Sequence, residues 1–131
     1  MAALDTNVVI RLLVGDDAAQ AAAAEKLVAA EHCTVSMSVL MECEWVLRAC
    51  YALKAPLIEA SFRDFLNLEH ITAVDGVLAQ RVLDAYAKGL DFADALHAAQ
   101  CAEGQKLVTF DKNFVLRAGK AGLKGVTLLK G

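Results

Sequence analysis

Acidic residues that follow apolar stretches are the side chains of this sequence best placed to do chemistry. Asp5 follows the apolar run 2–4, and Asp111 ends a second apolar run at 106–110. Parallel strands of an α/β sheet end at the same edge, so we expect both carboxylates to lie there. Glu42 and Asp94 fall in predicted helices beside apolar residues, and we expect both to border the buried face. Half-buried acids that meet at one edge raise each other's pKa values unless a cation neutralises them.

A divalent metal ion is therefore the predicted cofactor. Carboxylate ligands suit hard ions, which favours Mg²⁺ or Mn²⁺. Zinc is disfavoured because the three histidines are scattered and the four cysteines have no C-x-x-C spacing. A carboxylate-bound ion of this kind can activate a water for in-line cleavage of a phosphodiester bond. Three short polar residues beside the strand-end acids are predicted to orient the ligands or a water: Thr6, Asn7 and Thr109. Asp91 lies one helical turn before Asp94.

Each acid also has an ordinary structural explanation. An aspartate at position 5, 91 or 111 is well placed to cap the N-terminus of the helix that follows it. Glu42 suits the first turn of a helix, where the helix dipole favours negative charge. Asp94 could pair with a lysine. Glu44 has Arg48 four residues later, which predicts a solvated ion pair, in contrast to Glu42.

Short strands alternate with helices along the whole chain. This alternation predicts an α/β fold with a mainly parallel sheet and helices on both faces. The predicted strands span residues 2–4, 33–37, 71–74, 106–110 and 126–129. Helices are predicted to end near Gly15, and to cover 17–31, 39–53, 56–68, 76–88, 91–103 and 112–118, with Ser38 as the N-cap of the third.

The composition indicates one globular domain over residues 1–131. The chain is 57% hydrophobic and 22% charged, with a net charge of −3, which argues against a strong general nucleic-acid binder. No apolar run is long enough to cross a bilayer, and the N-terminus lacks a basic region typical of a signal peptide. These features favour a cytoplasmic protein with no membrane partner, in which all four cysteines are buried free thiols.

Four segments, in order along nearly the whole chain, resemble the PIN-domain family. They are Leu-Asp-Thr-Asn-Val-Val-Ile-Arg-Leu-Leu from position 4, Ser-Val-Leu-Met-Glu-Cys-Glu-Trp-Val-Leu from position 38, Asp-Phe-Ala-Asp-Ala-Leu-His-Ala-Ala from position 91, and Thr-Phe-Asp-Lys-Asn-Phe from position 109. The chain looks most like the VapC-type ribonuclease toxins of toxin–antitoxin pairs. The resemblance implies a three-layer α/β/α fold and places the acidic quartet on Asp5, Glu42, Asp94 and Asp111. It also implies that Asp91 is an accessory acid and that Thr6 and Thr109 are supporting polar groups.

The resemblance also implies a function and partners. It implies a Mg²⁺- or Mn²⁺-dependent endoribonuclease that leaves 5′-phosphate and 3′-hydroxyl ends, forms a homodimer and binds a small VapB-like antitoxin. Asn113 departs from the family pattern, because that position is often acidic in relatives. An RNA-processing nuclease and a metal-binding regulatory module are alternatives to a toxin. A haloacid-dehalogenase-type phosphatase would need a second Asp where this chain has Asn7, and a receiver domain would need an acid pair that is absent here.

Overall fold

Seven helices and five strands make up the computed structural model, which describes all 131 residues. The elements fall into two compact units, Met1–Gly76 and Val77–Gly131. Every strand pairing is parallel, as the alternation of strands and helices predicts. The assignment of residues 1–131 to one domain stays a prediction.

The first unit contains a parallel sheet with the strand order β1-β2-β3. Ala2 pairs with Cys33 across β1 and β2, and Cys33 pairs with Ile71 across β2 and β3. The α1 helix packs against α2 and α3, and α4 packs against α3 and β3. The elements of this unit are β1 (Ala2–Ala3), α1 (Thr6–Leu13), α2 (Ala18–Ala30), β2 (Cys33–Val35), α3 (Met37–Ala49), α4 (Ala55–Leu66) and β3 (Ile71–Ala73).

Local sequence signals explain where these helices begin. Asp17 caps α2 by accepting a hydrogen bond from the backbone N–H of Gln20 at 3.0 Å. Pro56 lies in the first turn of α4, where its missing N–H costs nothing. The prediction for α3 was wrong by two residues, because Ser36 is the N-cap and not Ser38. Ser36 accepts from the N–H of Val39 at 3.2 Å, which places the whole helix earlier in the chain.

The second unit contains the parallel pair β4-β5, in which Leu107 lies opposite Val126. The α7 helix packs against both strands and against α6. The elements are α5 (Gly76–Ala87), α6 (Phe92–Ala99), β4 (Leu107–Thr109), α7 (Lys112–Lys120) and β5 (Val126–Leu128), with α5 beginning at the boundary residue. Gly89 follows the end of α5 and has φ +98°, a left-handed conformation that favours glycine.

Two features of the second unit differ from the sequence expectation. The α6 helix ends at Ala99, four residues before the predicted end at 103, since the chain turns at 101–104. The β4 strand is not buried, because Val108 is 51% exposed and its neighbours are only half-buried. A short apolar run therefore indicated a strand correctly but did not fix how deeply it lies.

The cysteines and the helices also bear on the earlier expectations. All four cysteines are free thiols, as predicted. Cys33 and Cys43 are buried, but Cys50 is exposed and Cys101 is half-buried, so the prediction of four buried thiols was wrong. None of the helices has both the length and the apolar character needed to span a bilayer.

Candidate active site

Asp5 lies between β1 and α1 and does not use its carboxylate to cap the helix. The residue occupies the N-cap position with extended backbone angles, but its side chain makes no capping hydrogen bond. Its carbonyl oxygen instead accepts from the N–H groups of Val8 and Val9, at 3.1 and 3.2 Å. The carboxylate is exposed. The structural explanation for Asp5 therefore fails, and its two carboxylate oxygens remain available to a ligand.

Thr6 connects this strand end to α3. Its hydroxyl donates a short hydrogen bond to Oε1 of Glu42, and Thr6 itself is buried. Cys43, the next residue of α3, lies beneath this pair and donates from Sγ to the carbonyl of Thr6 at 3.9 Å. Burial, with smaller contributions from the charges of Glu42 and Asp5, raises the pKa of the Cys43 thiol to about 12. The charges of both acids thus act on the same buried thiol.

The contrast predicted between Glu42 and Glu44 was wrong. Glu42 is exposed, whereas Glu44 is only 3% exposed. The predicted ion pair is present, and Arg48 Nε donates to Glu44 at 2.9 Å. Leu40, Cys43 and Leu47 are buried at helical spacing, and position 44 lies on the same stripe. That spacing was the signal in the sequence that Glu44, and not Glu42, faces inward.

Asp91 and Asp94 lie at the start of α6 in the second unit. Asp91 is the N-cap and accepts from the N–H of Asp94 at 3.3 Å, as its structural explanation predicts. Asp94 is half-buried and has no ion pair with a lysine. Its pKa is raised, first by burial and then by the charges of Asp91 and Asp111, while His97 and Arg117 act in the opposite direction. Like charges therefore gather around Asp94.

Asp111 combines a structural role with an available oxygen. Its Oδ1 caps α7 by accepting from the N–H groups of Asn113 and Phe114, at 2.9 and 3.1 Å. Its Oδ2 makes no hydrogen bond. The hydroxyl of Thr109 accepts from the backbone N–H of Asp111 at 3.1 Å, which fixes the chain at the end of β4. Thr109 thus contacts the backbone of Asp111, and its role as an accessory residue stays a prediction.

The remaining accessory residue, Asn7, lies apart from the acids. It lines a groove of about 450 Å³ between α1 and α2, together with Arg11, Gln20 and Leu27, and makes no hydrogen bond to Asp5 or Glu42. A second cavity, of about 390 Å³ in the second unit, is lined by Arg81, Cys101, Gln105 and Lys124 among others. None of the predicted acids lines that cavity.

The donor chemistry of the acids suits a hard divalent cation, because carboxylate oxygens are the ligands such ions prefer. The first unit offers two exposed carboxylates, and the second offers Asp94 with two acids, Asp91 and Asp111, whose charges act on it. No group of three or more His, Cys, Asp or Glu side chains is arranged to hold a metal ion. The expectation of half-buried acids was also wrong for three of the quartet. Asp94 is half-buried, whereas the other three are exposed: Asp5, Glu42 and Asp111.

Comparison with known families decides the class of protein. The model of the PIN domain matches residues 2–120, which is most of the chain and includes every acid described above. The chain belongs to the PIN-domain family. No match was found among curated proteins or among solved structures.

Membership of this family agrees with the fold and gives the general chemistry. The PIN assignment confirms the α/β class, and seven helices with parallel strands are consistent with a three-layer α/β/α fold. PIN domains are generally metal-dependent nucleases, so a nuclease site is the general expectation for these acids. The assignment of the four acids to the site stays a prediction. Sequence reasoning missed the burial of Glu44 and the exposure of Phe110, which is 70% accessible.

Proposed function

We propose that this PIN domain is a metal-dependent endoribonuclease that acts as a VapC-type toxin. The proposed ligands of Mg²⁺ or Mn²⁺ are Asp5, Glu42, Asp94 and Asp111. The observation that carries this choice is the hydrogen bond from Thr6 to Glu42, which ties the residue after Asp5 to a carboxylate from a distant helix. A helix-capping role does not require such a contact, whereas a ligand set must fix its carboxylates in one orientation.

The residues around the acids prepare them for this role. Thr6 occupies Oε1 of Glu42 and restricts the side chain, which leaves Oε2 for a ligand. The cap of α7 occupies Oδ1 of Asp111 and leaves Oδ2. When bound, Mg²⁺ or Mn²⁺ supplies activation of water and neutralisation of phosphate charge. The chain's own contribution is to present carboxylate oxygens whose positions are already restricted.

The partners belong to the same proposal. The substrate is RNA, and a small VapB-like antitoxin restrains the enzyme by placing an Arg or Lys side chain against the acids. The exposure of Asp5, Glu42 and Asp111 supports this, because a partner's cation can reach them. We further propose that the protein is a homodimer and works in the cytoplasm.

Asp5→Asn tests the proposal. Removal of one charge from a metal ligand should lower the rate of RNA cleavage about 100-fold or more in Mg²⁺ or Mn²⁺. The fold should be unaffected, because the side chain of Asp5 makes no capping bond. The measurement is cleavage of total RNA with sequencing of the new ends, in metal and in EDTA.

Asp17→Asn is the matched control for this experiment. It makes the same chemical change at another helix N-cap of the first unit, and asparagine caps as well as aspartate. We expect wild-type cleavage from this variant. Full activity of Asp5→Asn, or cleavage by the wild type in EDTA, would contradict the assignment. Retention of RNA without any cleavage would favour a regulatory module, and normal growth of cells that express an active enzyme would favour an RNA-processing nuclease.

A further inference from the structure

Phe110 is an exposed aromatic residue directly before a proposed metal ligand. Its side chain is 70% exposed, although phenylalanine is usually buried. Consecutive Cα atoms are about 3.8 Å apart, so the Cα atom that carries this ring is close to the Cα atom of Asp111. Single exposed apolar side chains are common and need no explanation. The position of this one, at the strand end that carries a functional acid, is what requires an account.

Three exposed apolar residues lie in or directly after β4 and β5, and we call them the open face: Val108, Phe110 and Leu129. Val108 lies within β4, and Phe110 directly follows the last residue of that strand. Leu129 lies next to Phe110, since its N–H donates to the carbonyl of Thr109 at 2.7 Å. Val108 and Leu129 are 51% and 49% exposed. One edge of the ring lies near the backbone of Gly131, where an added Cβ would be 3.3 Å from Cε1, and most of the ring remains accessible.

Two lysines flank this face and have no acidic partner. Lys112 follows Asp111, and Lys130 follows Leu129; both are exposed, and neither forms an ion pair. An aromatic surface with free cations beside it is the combination that binds single-stranded nucleic acid. The cations bind phosphates, and the ring stacks on a base.

We propose that Phe110 stacks on an unpaired base of the RNA next to the bond that is cut, and that Lys112 and Lys130 bind flanking phosphates. The inference rests on the proposed function and adds that the substrate must be single-stranded at this point. Stacking tolerates any base, so Phe110 selects for an unpaired base and not for a sequence. The Cα atoms of Phe110 and Asp111 are about 3.8 Å apart, so a base on the ring would lie near the strand end that carries this acid.

A nucleobase fits the face better than a second copy of this chain. A stable protein interface takes about 20–30 residues from each side, whereas this face exposes three large apolar side chains. The charged residues next to this face are Asp111, which is a proposed metal ligand, and the two lysines. The lysines attract the backbone of RNA.

The experiment measures RNA binding apart from cleavage. An eight-nucleotide single-stranded RNA with one 2-aminopurine is titrated with protein in EDTA at low salt, and its fluorescence reports stacking. We expect the wild type to quench the fluorophore. Phe110→Leu keeps an apolar side chain but has no aromatic face, and it should weaken binding about 5- to 150-fold and abolish the quenching. Phe110→Tyr should keep both properties.

Two controls separate stacking from other effects. Leu57→Ala removes a 54% exposed apolar side chain from α4, in the first unit, and should leave binding unchanged. Lys112→Ala combined with Lys130→Ala should make the slope of log K against log salt less steep by about 1.4, since each phosphate contact to a single strand contributes about 0.7. Circular dichroism checks that each variant folds.

The outcomes distinguish this inference from the proposed function. If Phe110→Leu binds and quenches like the wild type, or if the wild type does not bind the oligonucleotide, the stacking role is wrong. A change in sedimentation of Phe110→Leu with unchanged RNA affinity would assign the face to a second copy and also overturn the inference. If Phe110→Leu loses binding while the wild type fails to cleave RNA in Mg²⁺, stacking stands and the nuclease assignment fails.

Discussion

At the scale of single residues, the negative charge of Asp94 is destabilised by its surroundings in this PIN domain. The pKa of Asp94 is raised by burial and then by the charges of Asp91 and Asp111. A raised pKa means that the folded protein holds the proton at a higher pH than the unfolded chain does. The stability that this group contributes is therefore complete below the unfolded pKa and is lost as the pH rises through the folded pKa.

Asp94→Asn should stabilise the metal-free protein at neutral pH, because the neutral amide removes the repulsion. In EDTA at pH 7 we expect a higher melting temperature than in the wild type. The difference should shrink as the pH falls through the raised pKa of Asp94, because the aspartate of the wild type then becomes protonated. Thermal denaturation from pH 7 to pH 4 measures both effects. Glu25→Gln, at an exposed position of α2, is the control and should give no such gain.

The sequence singled out candidate acids but did not fix how exposed their side chains are. Positions 5 and 111 were recognisable because each follows an apolar run, and position 94 because apolar residues flank it. The orientation of Glu42 was misjudged because its apolar neighbours at i−3 and i+4 are themselves only half-buried. The burial of Glu44 was not predicted, because burying a charged side chain costs free energy unless the charge is paired. In the structure Arg48 forms an ion pair with Glu44.

At the scale of elements, two aspartates occupy the same position of two helices and do different things. Asp17 caps α2 through its side chain, whereas Asp5 precedes α1 and makes no side-chain cap. Asp17→Ala should therefore cost about 1 kcal/mol, or roughly 4 °C in melting temperature for a chain of this length. Asp5→Ala should change stability by less than about 0.5 kcal/mol, as for an ordinary surface substitution.

Thermal and urea denaturation in EDTA compare the two variants. EDTA is needed because Asp5 is a proposed metal ligand, and metal binding would add to its apparent stability. Asp17→Asn serves as the control, since it retains a capping oxygen and should match the wild type. Equal losses from both alanine variants would show that Asp5 is a structural residue, in conflict with the site proposed here.

The existence and order of the elements followed from local signals, but their ends did not. All seven helices and five strands are in the regions predicted from hydrophobic spacing and from Asp, Ser, Pro and Gly residues that begin or end elements. The start of α3 was missed because Ser36 and Ser38 are both good caps, and packing of the helix decides between them. The exposure of β4 was not predicted. An apolar run shows that a segment is suited to a core, but it does not show whether another helix or strand packs over it.

At the scale of the whole molecule, contacts between residues far apart in the sequence are the property that local patterns cannot supply. The contact between Thr6 and Glu42 joins residues 36 positions apart. Such a contact depends on parallel strand pairing and on the packing of α1 against α3, which no short segment contains. The four motifs pointed to these acids because the motifs occur in the same order as in the PIN-domain family. The match over residues 2–120 confirms membership of that family.

Metal binding should stabilise the folded protein as a whole. An ion that binds only the folded state adds about 2.7 kcal/mol at a concentration of 100 times its dissociation constant, which corresponds to roughly 10 °C for 131 residues. We therefore expect the melting temperature to rise with Mg²⁺ or Mn²⁺ concentration and to return in EDTA. The metal relieves the same repulsion that raises the pKa of Asp94, so the rise should be larger at pH 7 than at pH 4.

The variants determine whether this rise comes from the proposed ligands. Asp5→Asn should lose most of it, whereas Asp17→Asn, which is the same change at a capping residue, should retain it. A rise of equal size in both variants would mean that the ion binds elsewhere, even if RNA cleavage depends on metal. No rise at any metal concentration would leave the mutual repulsion around Asp94 without the cation that we propose to neutralise it, and the ligand assignment would have to be abandoned.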